Sequence, residues 1–393
     1  MRSTRVAAVG VTLAGAMVLA ACGGGSGSSA AGGDCVVKIG SVFSTTGAAA
    51  AFGIDGQNSI DMAVKDINAK GFTVAGKQCT FELKSADMQS NPDNMARNAQ
   101  DLITGFGAHY LIGGDMSPAI PPMVTAAERT GNVMALSVTT SMQNYVKPDK
   151  PFFKLSASDD KMVNNGYIPA VTKALPDIKR IAMLMNNDDT GRALADSYVP
   201  AFAQNGVEVT QKIFFDPASQ DFAAVVNQIP RGSVDGIFIG YNGDGRAAAI
   251  MDAALDAGLT KNFITRGISA LPGQQRADKI DNYAWLVLGA DPAFPSTDKV
   301  KDFIARYASE YKMDPAKVTW FPFTHYDYIA MLAQAMEKAG TTDDVDKVAA
   351  ALRGASYDGV VQVSFDASGA NTSPMGAGIL TPTGGKVVTF GIS

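Results

Sequence analysis

The chain has 393 residues, 46% of them hydrophobic, and 33 Lys and Arg against 38 Asp and Glu, a formal net charge of −5. No Lys- or Arg-rich block occurs, which argues against nucleic acid as a partner. The only two histidines, His109 and His325, have no second histidine at ligand spacing, so no metal site is expected.

The chain opens with Arg2 and Arg5, then runs apolar from Val6 to Ala21 with Thr12 as the one polar interruption. A short positive segment and an apolar run too short for a comfortable span read as a secretory signal peptide over residues 1–21. A short transmembrane anchor is the alternative. The run ends in Leu19-Ala20-Ala21-Cys22, which resembles the bacterial lipobox. That resemblance implies that Cys22 is lipidated and becomes the new N-terminus. Residues 23–33 contain only Gly, Ser and Ala, so 22–33 reads as a flexible tether. Acyl chains anchor by burying CH2 groups at about 0.8 kcal/mol each. The expectation is a globular part held at the extracytoplasmic face of the cell membrane.

Of the three cysteines, Cys35 and Cys79 remain for that oxidising compartment. Each opens a strand-like run, Cys35-Val-Val-Lys-Ile and Cys79-Thr-Phe-Glu-Leu. Parallel neighbours lie about 4.8 Å apart, which fits disulfide geometry, so a Cys35–Cys79 bond is expected. Two buried free thiols are the alternative. No CxxC pair suggests redox chemistry.

Strand-like runs follow at Val36–Phe43, Thr80–Ala86, Tyr110–Gly113 and Val133–Val138. Between the first two, Ile60, Ala63, Val64 and Ile67 recur at helical spacing, and Lys70-Gly71 ends that helix. The pattern repeats with strands at Arg180–Met185, Glu208–Phe215, Gly236–Tyr241, Phe263–Arg266 and Trp285–Gly289. Alternating strand and helix predicts α/β architecture with two doubly wound parallel-sheet lobes. After Ala290-Asp291-Pro292 come two more helices, Lys299–Tyr311 and Phe323–Ala339, which fit the first lobe. The expected division is 34–154 plus 291–361 for lobe 1 and 155–290 plus 362–393 for lobe 2. Three crossings would make a hinge over a cleft. Open α/β sheets bind ligands beyond the carboxyl ends of their strands.

The stretches VKIGSVFSTTGAAAAFGIDGQNSIDMAVKDINAKG, LKSADMQSNPDNMARNAQDLI, RIAMLMNNDDTGRALADSYVPAFAQNGVEV, QDFAAVVNQIPRGSVDGIFIGYNGDG and FTHYDYIAMLAQAMEKAG occur in this order. Together they resemble the type I periplasmic binding proteins of ABC importers, in the Leu/Ile/Val-binding branch. The resemblance implies a small ligand clasped between lobes, an ABC permease as partner, no cofactor and no catalysis. It implies that Ser117 and the Val138-Thr139-Thr140 segment hold a ligand carboxylate, with Phe52 packing on the ligand. The second lobe would add Thr190, Tyr241, Asn242, Asp244 and Ser269. The family's amino-acid binders carry an acid after the second lobe's fourth strand, where this chain reads Arg266-Gly267-Ile268-Ser269. Asp244 is left to meet an ammonium, or the ligand is a carboxylate, amide or aromatic acid with Arg266 as counter-charge.

Each candidate also has a structural reading. Ser117 precedes Pro118 and could cap the next helix. Ser137–Ser141 and Ser44–Gly47 could be plain turns, Phe52 core, and Tyr241 a buried strand end. Asp188 and Asp189 suit a helix cap, and Asp244 a solvated turn. His325 reads as structural. Gly243-Asp244-Gly245-Arg246-Ala247-Ala248 matches a nucleotide-binding spacing, but Asp244 would face a pyrophosphate. Gly267–Leu271 lacks the second glycine of a nucleophile elbow. A ligand sensor for a membrane signalling partner stays open beside the importer reading. The sugar-responsive repressors of this fold are excluded by the export signal.

Overall fold

The computed structural model describes residues 35–391 apart from Ala48, 138–144, Ser158, 217–218, 241–243 and Ile268. The signal peptide, Cys22 and the tether lie outside the described residues, as do Val138, Thr139, Thr140, Tyr241 and Asn242. No described helix is long and apolar enough to cross a membrane.

The first sheet is built around β1 (Cys35–Phe43), buried along most of its length as a central parallel strand must be. Helix α1 (Ala50–Asn68) follows, then β2 (Phe72–Val74), β3 (Lys77–Asp87), α2 (Asp93–Gln100), β4 (Tyr110–Gly113), α3 (Ile120–Thr130), β5 (Met134–Ser137) and β6 (Phe152–Lys154). The strand order is β2-β3-β1-β4-β5-β6. All pairs are parallel except β2–β3. That hairpin was not foreseen. Its turn holds Ala75 and Gly76 at φ 49° and 79°, the double positive φ of a type I′ turn. Alanine in the first position hides the usual Asn-Gly signature.

The second sheet follows α4 (Asp159–Met162) and α5 (Ile168–Ala174). It takes β7 (Arg180–Asn186), α6 (Asp189–Gln204), β8 (Glu208–Phe215), α7 (Ala223–Val226), β9 (Gly236–Gly240), α8 (Asp244–Asp256), β10 (Asn262–Thr265), α9 (Leu271–Gln274) and β11 (Asn282–Leu288). The chain then runs through α10 (Asp298–Tyr311), α11 (Phe321–Ala339), α12 (Val345–Leu352) and a small hairpin, β12 (Ser356–Asp358) and β13 (Gln362–Ser364). It returns as β14 (Met375–Thr381) and β15 (Gly384–Phe390), giving the order β15-β14-β11-β10-β9-β7-β8. β14 and β15 pair antiparallel, so this sheet is mixed rather than purely parallel.

Helices α10 and α11 lie against α1. Tyr307 Oη donates to Asp55 Oδ1 at 2.9 Å, and Tyr326 Oη to Asp66 Oδ2 at 2.7 Å. Lys65 pairs with Glu310 at 2.6 Å. Each sheet has its own core on one face, with α2 and α3 over the first and α7 and α8 over the second. On the other faces a single buried cluster runs from Phe43 and Tyr110 through Phe153 to Ile181 and Leu286, with α11 inside it. Residues Asp34–Ser393 pack as one unit.

Cys35 and Cys79 are direct partners in the β1–β3 register. Their disulfide spans a Cα–Cα distance of 4.4 Å, as the parallel pairing required.

Candidate ligand-binding cleft

The loops singled out in the sequence gather at two sheet edges. β1, β4 and β5 are parallel neighbours, so their carboxyl ends bring Ser44, the Ser117 turn and Ser137 to one rim. β7, β9 and β10 do the same for the strand ends at Asn186, Gly240 and Thr265.

On the first rim, α1 starts hard against the Ser44 loop. A Cβ on Gly53 would lie 2.0 Å from the Ser44 carbonyl oxygen, so only glycine permits the approach that places Phe52 there. Two carboxylates fasten the loop. Ser44 N donates to Asp115 at 3.2 Å and Thr45 N to Asp87 Oδ1 at 2.9 Å, while Thr46 Oγ1 donates to Asp87 Oδ2 at 2.6 Å. Burial pushes the Asp115 carboxyl up. For Asp87 the rise from burial is outweighed by these donors, which hold it below the usual carboxylate range. The loop's N–H groups are thus already in use.

Ser117 opens a 3-10 turn, Ser117–Ala119, whose N-cap is Met116, and the N-cap of α3 is Ala119. The capping reading of Ser117 is therefore corrected. On the second rim Asp188 is the N-cap of α6, accepting from Gly191 N at 2.7 Å, as its position suggested. Thr190 and Asp244 fall in the first turns of α6 and α8, with their side chains outside the described part. Arg266 is buried just past β10.

Phe52 and Ser269, one from each rim, line a single cavity of about 550 Å³. Ala270, Leu271, Gln274 and Gln275 continue its wall, with Asp291–Ala293 of the connecting segment and Asp314–Trp320 except Pro315. Phe52 is neither core nor free surface: it is half-buried and packs on Phe321, ring centroids 5.3 Å apart. Ser269 Oγ accepts from Leu271 N at 3.1 Å and its carbonyl accepts from Tyr283 Oη at 3.0 Å. The Ser117 turn does not line this cavity.

Trp320, Thr319 and the Gln274-Gln275 pair were missed in the sequence. The run Trp320-Phe321-Pro322-Phe323 was the available signal, an aromatic cluster at a helix start with proline in its first turn. Among the described residues, buried polar atoms without a partner include Asn186 Oδ1 and Trp320 Nε1. Such atoms are rare in native proteins and call for a missing partner. Among the described residues no group of three or more His, Cys, Asp or Glu is placed to hold a metal.

Behind this wall, α11 carries two displaced titrations. His325 is fully enclosed, with Nδ1 2.6 Å from the Phe321 carbonyl and its ring stacked on Phe321. Burial holds it down to about 4, so its contribution to stability is lost as pH falls from the unfolded value toward 4. Asp327 accepts from Val360 N at 2.9 Å and Val361 N at 2.7 Å. Burial nevertheless pushes it up to about 7, the two N–H groups and Lys299 opposing and Asp358 adding to the rise. The folded state then holds this proton more tightly than the unfolded one, so stability falls as pH rises from about 4 to about 7. Between pH 5 and 7 the unfolding free energy of wild type minus that of Asp327→Asn should fall by roughly 1 kcal/mol per pH unit. Urea midpoints of both proteins across that range test this, and parallel profiles would refute the assignment.

A family model described as periplasmic binding protein matches residues 36–381. The chain belongs to the periplasmic binding protein family. A Leu/Ile/Val-binding protein of Rhizobium johnstonii is 25% identical over 81% of this chain and 83% of its own. The substrate-binding protein LivJ of Streptococcus pneumoniae, solved with isoleucine, superposes with TM-score 0.71 at 23% identity. It covers 90% of this chain and 100% of that one. A solute-binding protein of Rhodopseudomonas palustris HaA2, solved with p-hydroxybenzoic acid, gives 0.73 at 20%, over 91% and 98%. This periplasmic binding protein has the type I fold expected from the sequence. Relatives and fold are those of solute-binding proteins rather than enzymes, which removes the nucleotide-dependent and hydrolase alternatives.

Proposed function

We propose that this chain is the lipid-anchored, extracytoplasmic substrate-binding protein of an ABC importer. It captures a small amino acid, carboxylate or amide between its two sheets and delivers it to the permease. The observation that carries this reading is the joint lining of one cavity by Phe52 and Ser269, from the rims of two different sheets. A ligand shifts a two-state hinge only through differential contact with the closed form, and a site drawing on both rims supplies it. On hinge closure Ser117, Val138 and Thr140 supply the first rim's polar contacts, Thr190, Tyr241, Asn242 and Asp244 the second's, and Arg266 the counter-charge for a carboxylate. Relatives named for Leu, Ile and Val, and solved neighbours holding isoleucine or p-hydroxybenzoic acid, support a small carboxylate-bearing ligand. Cys22 carries the anchor.

Thermal unfolding of residues 34–393 with a panel of branched-chain amino acids, aromatic acids, small carboxylates, amides and NADH tests the reading. A true ligand at a hundred times its Kd should stabilise by about 2.7 kcal/mol, and a panel in which nothing binds, or NADH alone does, would overturn it.

A further inference from the structure

We propose that Asp55 is the positioning residue of this site: its carboxylate joins two walls of the cavity and holds them at the spacing a ligand meets. This rests on the solute-binding reading above. Asp55 is buried and stands outside the cavity lining. One wall is the start of α1, with Ala51 and Phe52, and Asp55 lies one turn further along the same helix. The other is Val318-Thr319-Trp320, the segment that leads into α11. Asp55 Oδ2 accepts from Thr319 N at 2.8 Å, and Oδ1 accepts from Tyr307 Oη of α10 at 2.9 Å. Asp55 and Thr319 are 264 residues apart in sequence, so contacts across the fold set the spacing of these walls. Phe52 also packs on Phe321, but apolar packing is non-directional and tolerates sliding. A hydrogen bond fixes both distance and angle.

A carboxylate suits this place, because its two oxygens accept from a main-chain N–H and a phenol at once. Stability does not account for the charge. Burial pushes the Asp55 carboxyl up, and the hydrogen bonds from Thr319 and Tyr307 oppose that rise without reversing it. The ionised form is therefore less favoured in the folded chain than in the unfolded one. A buried charge of this kind is weak evidence for stability and can serve to fix a geometry instead. The isostere separates the two roles. An Asn at this position accepts from Thr319 N through Oδ1 and donates to Tyr307 Oη through Nδ2. An Ala leaves Tyr307 Oη the Asp55 main-chain carbonyl, 3.2 Å away, but takes the acceptor from Thr319 N. The wall carrying Trp320 is then no longer preorganised, and ordering it on binding costs affinity.

The test uses the mature chain and two readings. Calorimetry with isoleucine and with 4-hydroxybenzoate gives affinity, and acrylamide quenching of tryptophan fluorescence in ligand-free protein reports on the wall itself. The chain has two tryptophans. Trp285 is fully buried with its Nε1 on Asp291, so a change in quenching reads Trp320, the neighbour of Thr319. Asp55→Ala should weaken whichever probe binds by about tenfold, the equivalent of one lost hydrogen bond, and should raise quenching. Asp55→Asn should recover most of both. Tyr307→Phe removes only the bond to α10 and should leave both readings at wild type while lowering the unfolding midpoint. Wild-type affinity and quenching in Asp55→Ala overturn the proposal. So does an Asp55→Asn protein as impaired as Asp55→Ala, or a Tyr307→Phe protein that loses as much affinity, since general loosening of the helix packing would then be the cause. Should Asp55→Ala fail to fold, Thr319→Pro gives the quenching reading: it deletes the N–H alone, and Val318 before it is already extended at φ −60° and ψ 129°. A wild-type chain that binds no member of the wider panel brings down the solute-binding reading, and the quenching comparison still decides whether Asp55 holds the wall.

Discussion

Replacing Cys35 and Cys79 together with alanine is expected to lower the unfolding free energy by about 4 kcal/mol. The bond joins residues 44 apart in sequence, and the stabilisation follows from the loop-closure entropy it removes from the unfolded chain. It also staples β1, the strand on which the first sheet is built, to β3. Both cysteines lie toward the amino ends of their strands, whereas Phe52 and the Ser44 loop follow the carboxyl end of β1. The folded double variant should therefore bind ligand within about twofold of wild type, because the lost term belongs to the unfolded state. Urea unfolding of oxidised wild type and the variant measures the difference, and equal midpoints would show that the bond contributes nothing.

The second large effect is expected at Gly53. A methyl group there meets the Ser44 carbonyl oxygen at 2.0 Å, and backbone cannot rotate away as a side chain can. Helix α1 must lift from the loop, straining the contacts its neighbours make with Asp55. That buried carboxylate accepts from Tyr307 Oη and from Thr319 N at 2.8 Å, so it ties α1 to the segment leading into Trp320. Overpacking of this kind costs about 1–3 kcal/mol. Gly53→Ala should fall in that range and also weaken ligand binding by at least tenfold, since Phe52 moves with the helix. Gly105→Ala is the control, because a Cβ there meets nothing within 4 Å. Thermal unfolding and calorimetry on the pair test this. A Gly53→Ala protein with wild-type stability and affinity would show that α1 has freedom this packing denies it.

Legibility of the site was uneven for physical reasons. Strand ends are visible in sequence because an apolar run stops there, so the loops carrying Ser117, Asp188 and Ser269 could be named in advance. The local role of Asp188 was also readable, since an N-cap depends on residues within one turn. Ser117 resembled a cap for the same reason, but the 3-10 turn begins after Met116 and removes it from that role. Phe52 read more readily as core than as ligand wall, and in the structure it is neither core nor free surface: it rests half-buried on Phe321 and lines the cavity. Trp320 was invisible because its place depends on a segment returning from more than 250 residues away to meet α1.

By itself the sequence determined the alternation of strands and helices, the α/β class and the pairing of Cys35 with Cys79. Each follows from short-range periodicity or from one parallel register. The tertiary structure alone decided that α10 and α11 dock on α1, that β14 and β15 complete the second sheet antiparallel, and that Trp320 shares a cavity with Phe52 and Ser269. Those outcomes come from many weak contacts summed between distant segments, and such sums leave no periodic trace in the residues that make them.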